Sequence, residues 1–250
     1  MGTVPHRFLT KLERGVALTP EDRQAIAQLC SPPRQVQPRM DVFAEGDRLS
    51  SLVLVLDGWA CRYRMLSNGN RQIIGVLLPG DMSQPFGGTS QTFSHSLMAL
   101  STLSICDVSP RALRALTRTN ARIEDALWRD LFLDRDLASE LIVSLGRRSA
   151  TERLACFFCE IYSRLAAVKL VDRPVFDLPL TQIELADLLG LSSVHINRSL
   201  KELRRRNLVT WRGRCFTIVD LAELCDLAQF EPSYSLPQLA VPAEMAHGSD

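Results

Sequence analysis

The stretch Leu180-Thr-Gln-Ile-Glu-Leu-Ala-Asp-Leu-Leu-Gly-Leu-Ser-Ser-Val-His-Ile-Asn-Arg-Ser-Leu-Lys-Glu-Leu203 decides how the C-terminal third of the chain folds. Thr181-Gln-Ile-Glu184 is a capping box, in which a hydroxyl and a carboxylate three residues apart close the free N–H groups at a helix start. It predicts a helix over Gln182–Leu189, stopped by Gly190. Ser192 then caps a second helix running from Ser193 to about Arg206. Ile183, Leu185, Ala186 and Leu189 supply the apolar face of the first helix. Val194 or Ile196, with Leu200 and Leu203, supplies that of the second. Two short helices joined by a three-to-four-residue turn containing glycine form a helix-turn-helix.

The other face of the second helix carries Ser193, Asn197, Arg198, Lys201 and Arg205, a polar stripe rich in hydrogen-bond donors. Such a stripe suits a nucleic-acid groove: arginine bridges guanine O6 and N7, and asparagine bridges adenine N6 and N7. The base-reading candidates are Ser193, Val194, Asn197 and Arg198. Phosphate contacts are expected from Thr181 and Gln182 at the first helix's N-terminus, from His195, Lys201 and Arg205, and from Arg212 and Arg214 in a short hairpin. The plainer alternative is a surface helix pair with a solvated basic face. Charge favours the first reading. Residues 147–214 hold thirteen Lys/Arg against seven Asp/Glu, whereas 215–250 hold six acids and no Lys or Arg, so a net charge of +1 conceals one basic segment. Screening confines its field to about 10 Å, so that segment can attract a polyanion whatever the whole-chain balance.

Upstream, the hydrophobic period is helical. Ile123, Leu127, Leu131, Ala138, Leu141 and Leu145 form a stripe along one long helix of about residues 110–146. The stripe packs on the preceding domain or forms a dimer seam, for which Ile123, Leu127, Leu131 and Leu141 are the candidates. Ser149-Ala-Thr-Glu152 opens the next helix, which places the domain boundary at residues 146–149.

Before residue 110 the rhythm is that of short strands and turns. Leu18-Thr-Pro-Glu-Asp22 starts a helix with Thr19 as cap. After Pro32-Pro33, strands are expected at Leu52–Leu56, Trp59–Leu66, Ile73–Leu78 and, as a pair, across Leu97–Val108. The turns between them are Asp57-Gly58, Ser67-Asn-Gly-Asn70 (read as a tight primed hairpin turn) and Pro79-Gly80-Asp81. This is the pattern of an antiparallel roll. The class is therefore α+β: a β jelly roll with a long helix over 1–146, a winged helix-turn-helix over 147–230, and a disordered tail over 231–250.

At 250 residues, 46% hydrophobic and 23% charged, the composition is that of a globular protein. No run approaches the roughly 18 apolar residues of a membrane helix, the first residues lack a signal peptide's apolar core, and a cytoplasmic location follows. Of seven cysteines, Cys156 and Cys159 form one Cys-x-x-Cys without a second pair, inside what reads as a buried helix, so core packing outweighs metal binding. Cys215, beside Arg214, is the candidate redox thiol. No Gly-rich phosphate loop, nucleophile elbow or triad is visible, so no enzyme and no catalytic residue is expected. A cupin-like roll that binds a small molecule or a protein without DNA is the alternative.

From about residue 20 to 228 the chain resembles the Crp/Fnr family of bacterial transcription regulators. The resemblance rests on Leu180–Leu203, on Asn207-Leu-Val209, and on the Asp57-Gly58 and Pro79-Gly80-Asp81 turns. It implies a homodimer on a two-fold symmetric DNA site, with RNA polymerase as a partner if the protein activates. Two signatures are missing. Cyclic-nucleotide-binding members carry Gly-Glu-Leu and Arg-Ser/Thr-Ala runs; here these read Gly80-Asp81-Met82 and Phe93-Ser94-His95, without the arginine that pairs the phosphate. Oxygen-sensing members carry an N-terminal cysteine cluster that holds an iron–sulfur centre, which requires four ligands, where this chain has Cys30 alone before residue 60. Neither control is expected, and the effector is unnamed. No metal or cofactor is expected either, although His6, His95 and Cys61 stay open as haem ligands. Arg198 matches the family's guanine-reading arginine. Val194 stands where many members place a glutamate, so Arg198 and Val194 together imply a guanine in each half-site within a non-consensus operator.

Overall fold

The apolar run Leu52–Val55 has no polar face because the strand it forms is covered on both sides. The computed structural model describes residues 5–84 and 91–231. Helices α1 (His6–Leu12) and α2 (Pro20–Gln28) precede strands β1 (Arg34–Val36), β2 (Asp41–Phe43), β3 (Leu52–Asp57), β4 (Ala60–Met65), β5 (Arg71–Leu77), β6 (Ser96–Ala99) and β7 (Leu103–Val108). Two antiparallel sheets, in the orders β1-β7-β3 and β2-β6-β4-β5, make a jelly roll. Its interior is filled by Val53 and Val55 of β3, Leu103 and Ile105 of β7, and Phe43, Ala60, Leu77, Phe93, Leu97 and Ala99. The opposite side chains of β3 and β7, Leu52, Leu54, Cys106 and Val108, pack under α1, α2 and the helices that follow the roll. Alternation along a strand therefore sorts one apolar run between two cores.

Those helices are α3 (Pro110–Thr119) and α4 (Ala121–Arg147), so the long helix expected from residue 110 is broken. Asn120 makes the break, with extended φ/ψ and a side-chain oxygen that accepts from the Ile123 N–H at 3.1 Å. α4 is still about 40 Å long at 1.5 Å per residue. Its first turns bury Ile123, Ala126 and Leu127 in this chain's own core with Phe8, Leu12 and Leu113. Two of the four expected seam residues, Ile123 and Leu127, are thus consumed by packing on the roll, while Leu131 and Leu141 are half-buried. The apolar groups that α4 exposes are Trp128, Phe132, Ile142 and Val143, about a third of a turn away.

The expected strands appear within a residue or two, but the Ser67–Asn70 turn differs. Met65 pairs with Arg71, so the connection is a five-residue loop rather than a two-residue primed turn, and within it only Gly69 takes a positive φ. Beyond α4 come α5 (Ala150–Ala167), β8 (Val175–Asp177), α6 (Gln182–Leu189), α7 (Ser193–Arg205), β9 (Val209–Arg212), β10 (Cys215–Ile218) and α8 (Leu221–Ala228). β8, which completes the sheet β8-β10-β9, and α8 lie beyond the expected elements: three residues are too few to show a period, and α8 is only eight residues long. Cys156 and Cys159 are buried in α5, as read from sequence. Beyond Glu231, the expected tail lies outside the described residues.

The two domains touch along β5. Arg71 pairs with Asp187 of α6 at 2.8 Å, Gln72 donates to the Leu188 carbonyl at 3.2 Å, and Arg39 pairs with Glu184. Behind them, Ile73, Val76 and Leu78 join a core with Phe157, Ile161, Leu185 and Leu189.

Candidate nucleic-acid interface

Helix α6 begins as its sequence demands. The Thr181 hydroxyl accepts from the Glu184 N–H at 3.3 Å, and the Glu184 carboxylate accepts from the Thr181 N–H at 2.7 Å. The turn depends on Gly190, which sits at φ +61°, where a Cβ would also crowd the Leu145 side chain at 3.2 Å. Arg153 of α5 reaches across and donates to the Leu189 carbonyl at 2.9 Å, satisfying an orphan acceptor at the end of α6. Ser192 then caps α7 by accepting from the His195 N–H at 3.3 Å.

With both helix starts fixed, the faces of α7 are fixed too. Ile196, Ser199, Leu200 and Leu203 are buried against α5 and α6. Ser193, Val194, His195, Asn197, Arg198, Lys201 and Arg205 are exposed, so every expected base-reading residue lies on the open side. Two apolar side chains share that openness. Val194 is 74% exposed, and Ile183, assigned from sequence to the buried face of α6, is 65% exposed because Leu185, Ala186, Leu188 and Leu189 do the packing.

An open groove of about 1040 Å³ runs along α7. Gln182, Ser193, Val194, Asn197, Arg198 and Lys201 line one side of it. Ser149, Ala150 and Thr151, at the N-terminus of α5, line the other. The capping box of this helix is legible in the sequence, but its place beside α7 follows only from the fold. Its free N–H groups and dipole favour an anion. Thr151 is linked to α7 through a 3.2 Å hydroxyl contact with Ser199.

The remaining candidates are mostly tied loosely. Asn197 donates to Gln182 at 3.4 Å, and the His195 ring shares a 3.0 Å hydrogen bond with Ser192. Arg205 pairs with Glu202 and Arg214 with Asp177, each at 2.7 Å, and all four side chains are well exposed. Exposed pairs of this kind hold their partners by at most about 1 kcal/mol, so a phosphate can replace the carboxylate. The β9–β10 hairpin turns through Gly213 and Arg214, with Arg212 exposed beside them. Phe216 anchors it from below, buried against Phe158 with ring centroids 4.2 Å apart. Cys215 is exposed at the start of β10.

Phe43 and Phe93 stack in the interior of the roll with centroids 3.6 Å apart. Asp81, in the Pro-Gly-Asp turn, spends its carboxylate on Lys11 at 2.7 Å, Arg164 at 2.6 Å and the Leu78 N–H at 2.8 Å. Of the three haem-ligand candidates, Cys61 is buried among apolar side chains with its thiol pushed up to about 12 by that burial. His95 is buried with its ring 6.0 Å from Phe43, and His6 begins α1 at the surface. No group of three or more His, Cys, Asp or Glu side chains able to hold a metal occurs among the described residues. None of the described helices is long and apolar enough to cross a membrane.

Known proteins with the same pattern are regulators. The profile of the cyclic nucleotide-binding domain matches residues 33–120, and that of the Crp-like helix-turn-helix domain matches 152–227. The transcriptional activator protein FnrL of Cereibacter sphaeroides is 30% identical over 208 residues, 82% of this chain and 83% of its own. The transcriptional activatory protein AadR of Rhodopseudomonas palustris is 31% identical over 204 residues, 78% of this chain and 82% of its own. Among solved structures, FixK2 from Bradyrhizobium japonicum superposes with a TM-score of 0.71 at 24% identity, covering 79% of this chain and 96% of FixK2. With the roll, the helix-turn-helix and these relatives in agreement, the chain belongs to the Crp/Fnr family of DNA-binding transcription regulators.

Proposed function

We propose that this regulator binds DNA as a homodimer, each protomer laying α7 into the major groove of one half of a two-fold symmetric operator. The observation that carries the reading is the open face of α7, where Ser193, Val194, Asn197 and Arg198 project together from a helix whose other face is buried. Arg198 reads a guanine and Asn197 an adenine, while Val194 meets a thymine methyl. Thr181, Gln182, His195, Lys201, Arg205, Arg212 and Arg214 anchor phosphates, joined by the N–H groups at the start of α5. Half-sites then lie about 34 Å apart, one helical turn.

Residues 1–146 form the sensor and dimerisation unit, and 147–230 the DNA-binding domain. The exposed apolar stripe of α4, centred on Phe132, Ile142 and Val143, is the surface for the partner protomer. Binding needs neither a cyclic nucleotide nor an iron–sulfur centre. Support for this comes from Phe93-Ser94-His95 standing where a phosphate-pairing arginine would, and from Cys30 as the lone cysteine before residue 60. FnrL and AadR are both named for transcriptional activation. On that analogy the partner in transcription is RNA polymerase, in the bacterial cytoplasm.

The test is selection of reduced, metal-free protein against a randomised duplex pool at near-physiological salt. The expected product is a palindrome with a guanine in each half and half-sites one turn apart. A non-palindromic product overturns the dimer, and enrichment only after an effector is added overturns effector independence.

A further inference from the structure

The DNA-binding domain keeps two cysteines in contact. Cys159 on α5 and Cys225 on α8 are 66 residues apart in sequence, yet their Sγ atoms lie 3.6 Å apart and share a hydrogen bond. Both are free thiols. A disulfide bond is about 2.05 Å long, so closure asks for roughly 1.5 Å of approach, which a side-chain rotation and a small shift of the eight-residue α8 can supply. The two sulfurs differ in situation. Cys159 is fully buried, whereas Cys225 is half-buried at the edge of the domain. The shared hydrogen bond lowers the Cys225 thiol below the ordinary cysteine value and raises Cys159 well above it. The outer sulfur is therefore the nucleophile, and the inner one keeps its proton until attacked.

We propose that Cys159 and Cys225 form a reversible dithiol–disulfide site in the DNA-binding domain, closed by a peroxide and reopened by a low-molecular-weight thiol. In the first step the Cys225 thiolate attacks a peroxide oxygen. The O–O bond breaks, Cys225 becomes a sulfenic acid, and hydroxide leaves and takes up a proton to form water. In the second, the Cys159 sulfur attacks Cys225 Sγ. The S–S bond forms, the S–O bond breaks, and the thiol proton leaves with the hydroxyl as a second water. Two thiols and one hydrogen peroxide thus give one disulfide and two waters, the sulfurs losing two electrons and the peroxide gaining them. Reduction proceeds by thiol–disulfide exchange.

The other cysteines of the domain are less suited. Cys156, one turn before Cys159 on α5, is pushed up to about 12 by burial and lies 3.8 Å from Glu140. Cys215 is exposed, but no second thiol contacts it among the described residues. The bond would also have a consequence for the fold. The loop that it closes contains α6, α7 and the wing, so it removes freedom from the unfolded form of the whole DNA-reading unit.

The experiment treats the reduced full-length protein with a small molar excess of hydrogen peroxide, alkylates the remaining thiols, digests with trypsin and maps the peptides by mass spectrometry. The expected product links the peptide 154–164 to the peptide 215–250 and disappears on dithiothreitol treatment. It is absent from Cys225→Ser and from Cys159→Ala, and it persists in Cys215→Ser and Cys156→Ala. Oxidised wild-type protein melts several degrees above its reduced form, a difference that Cys225→Ser abolishes. A linkage that survives Cys225→Ser but is lost in Cys215→Ser overturns the assignment. So does failure of folded wild-type protein to form the link while it forms in urea.

Discussion

At the scale of single residues, two side chains carry opposite kinds of information. Arg198 is exposed on α7 and has the planar donor fork that guanine matches. Replacing it with alanine is expected to weaken operator binding by about 1–3 kcal/mol and to relax the preference at one base pair in each half-site. Binding measured on the operator and on duplexes altered at that pair checks this; an equal loss on every duplex would remove the base-reading role. His95 is buried, with Nε2 lacking a hydrogen-bond partner. Burial, and then the positive charge of Arg62, push its pKa from 6.5 down to about 4. The folded protein holds His95 neutral where the unfolded chain would protonate it, so its contribution to stability is lost as pH falls from about 6.5 to about 4. In His95→Phe that part of the dependence is expected to vanish. Urea midpoints of wild type and variant at pH 7 and pH 4.5 give the difference directly.

At the scale of elements, α4 shows what hydrophobic spacing can and cannot report. Its stripe at Ile123 and Leu127 is real, but spacing says only that a face is buried, and here the roll of the same chain buries it. The exposed apolar groups Phe132, Ile142 and Val143 stand in sequence beside the half-buried Leu131, Leu133 and Leu141, so apolar character alone does not separate the two faces. Phe132→Glu combined with Ile142→Glu is expected to leave the far-ultraviolet circular dichroism unchanged, to give a monomer by sedimentation velocity, and to weaken binding to a palindrome far more than to a single half-site. Elements with local chemistry were legible. The capping boxes at Ser149 and Thr181 and the glycine stop at Gly190 depend on atoms within four residues, and each appears as read. β8 and the burial of β3 on both faces depend on distant partners. The outward turn of Ile183 does too, since Leu185 and Leu188 fill the space beneath α6. The donor face of α7 was legible because its buried face was. The start of α5 as a second wall of the groove was not, since only the fold brings it beside α7.

At the scale of the whole molecule, the two domains share a buried charge cluster. Lys11 of α1 bridges Asp81 of the roll and Asp130 of α4, while Arg164 of α5 bridges Asp81, Glu160 and the Val76 carbonyl. Burial alone would raise the Asp81 carboxyl, but Lys11 and Arg164 together hold it well below the usual range. Burial does raise Asp130 and Glu160. Two cations thus serve three carboxylates, and Arg164 is the cation that belongs to the DNA-binding domain. Arg164→Met leaves Asp81 and Glu160 short of a partner and is expected to cost about 3–5 kcal/mol in denaturant unfolding. Asp81 contributes stability above its unfolded value of about 3.8, lost as pH falls through its depressed folded value; in Arg164→Met the folded value rises, so that the loss is smaller and is complete at a higher pH. Adding Asp81→Asn removes the buried negative charge that the first substitution exposed, so the double variant is expected to be more stable than the sum of the two single losses, by roughly 0.5–3 kcal/mol. Strict additivity would mean that roll and DNA-binding domain are not coupled through this pair, leaving contacts such as Arg71–Asp187, Arg39–Glu184 and Gln72–Leu188 to tie them.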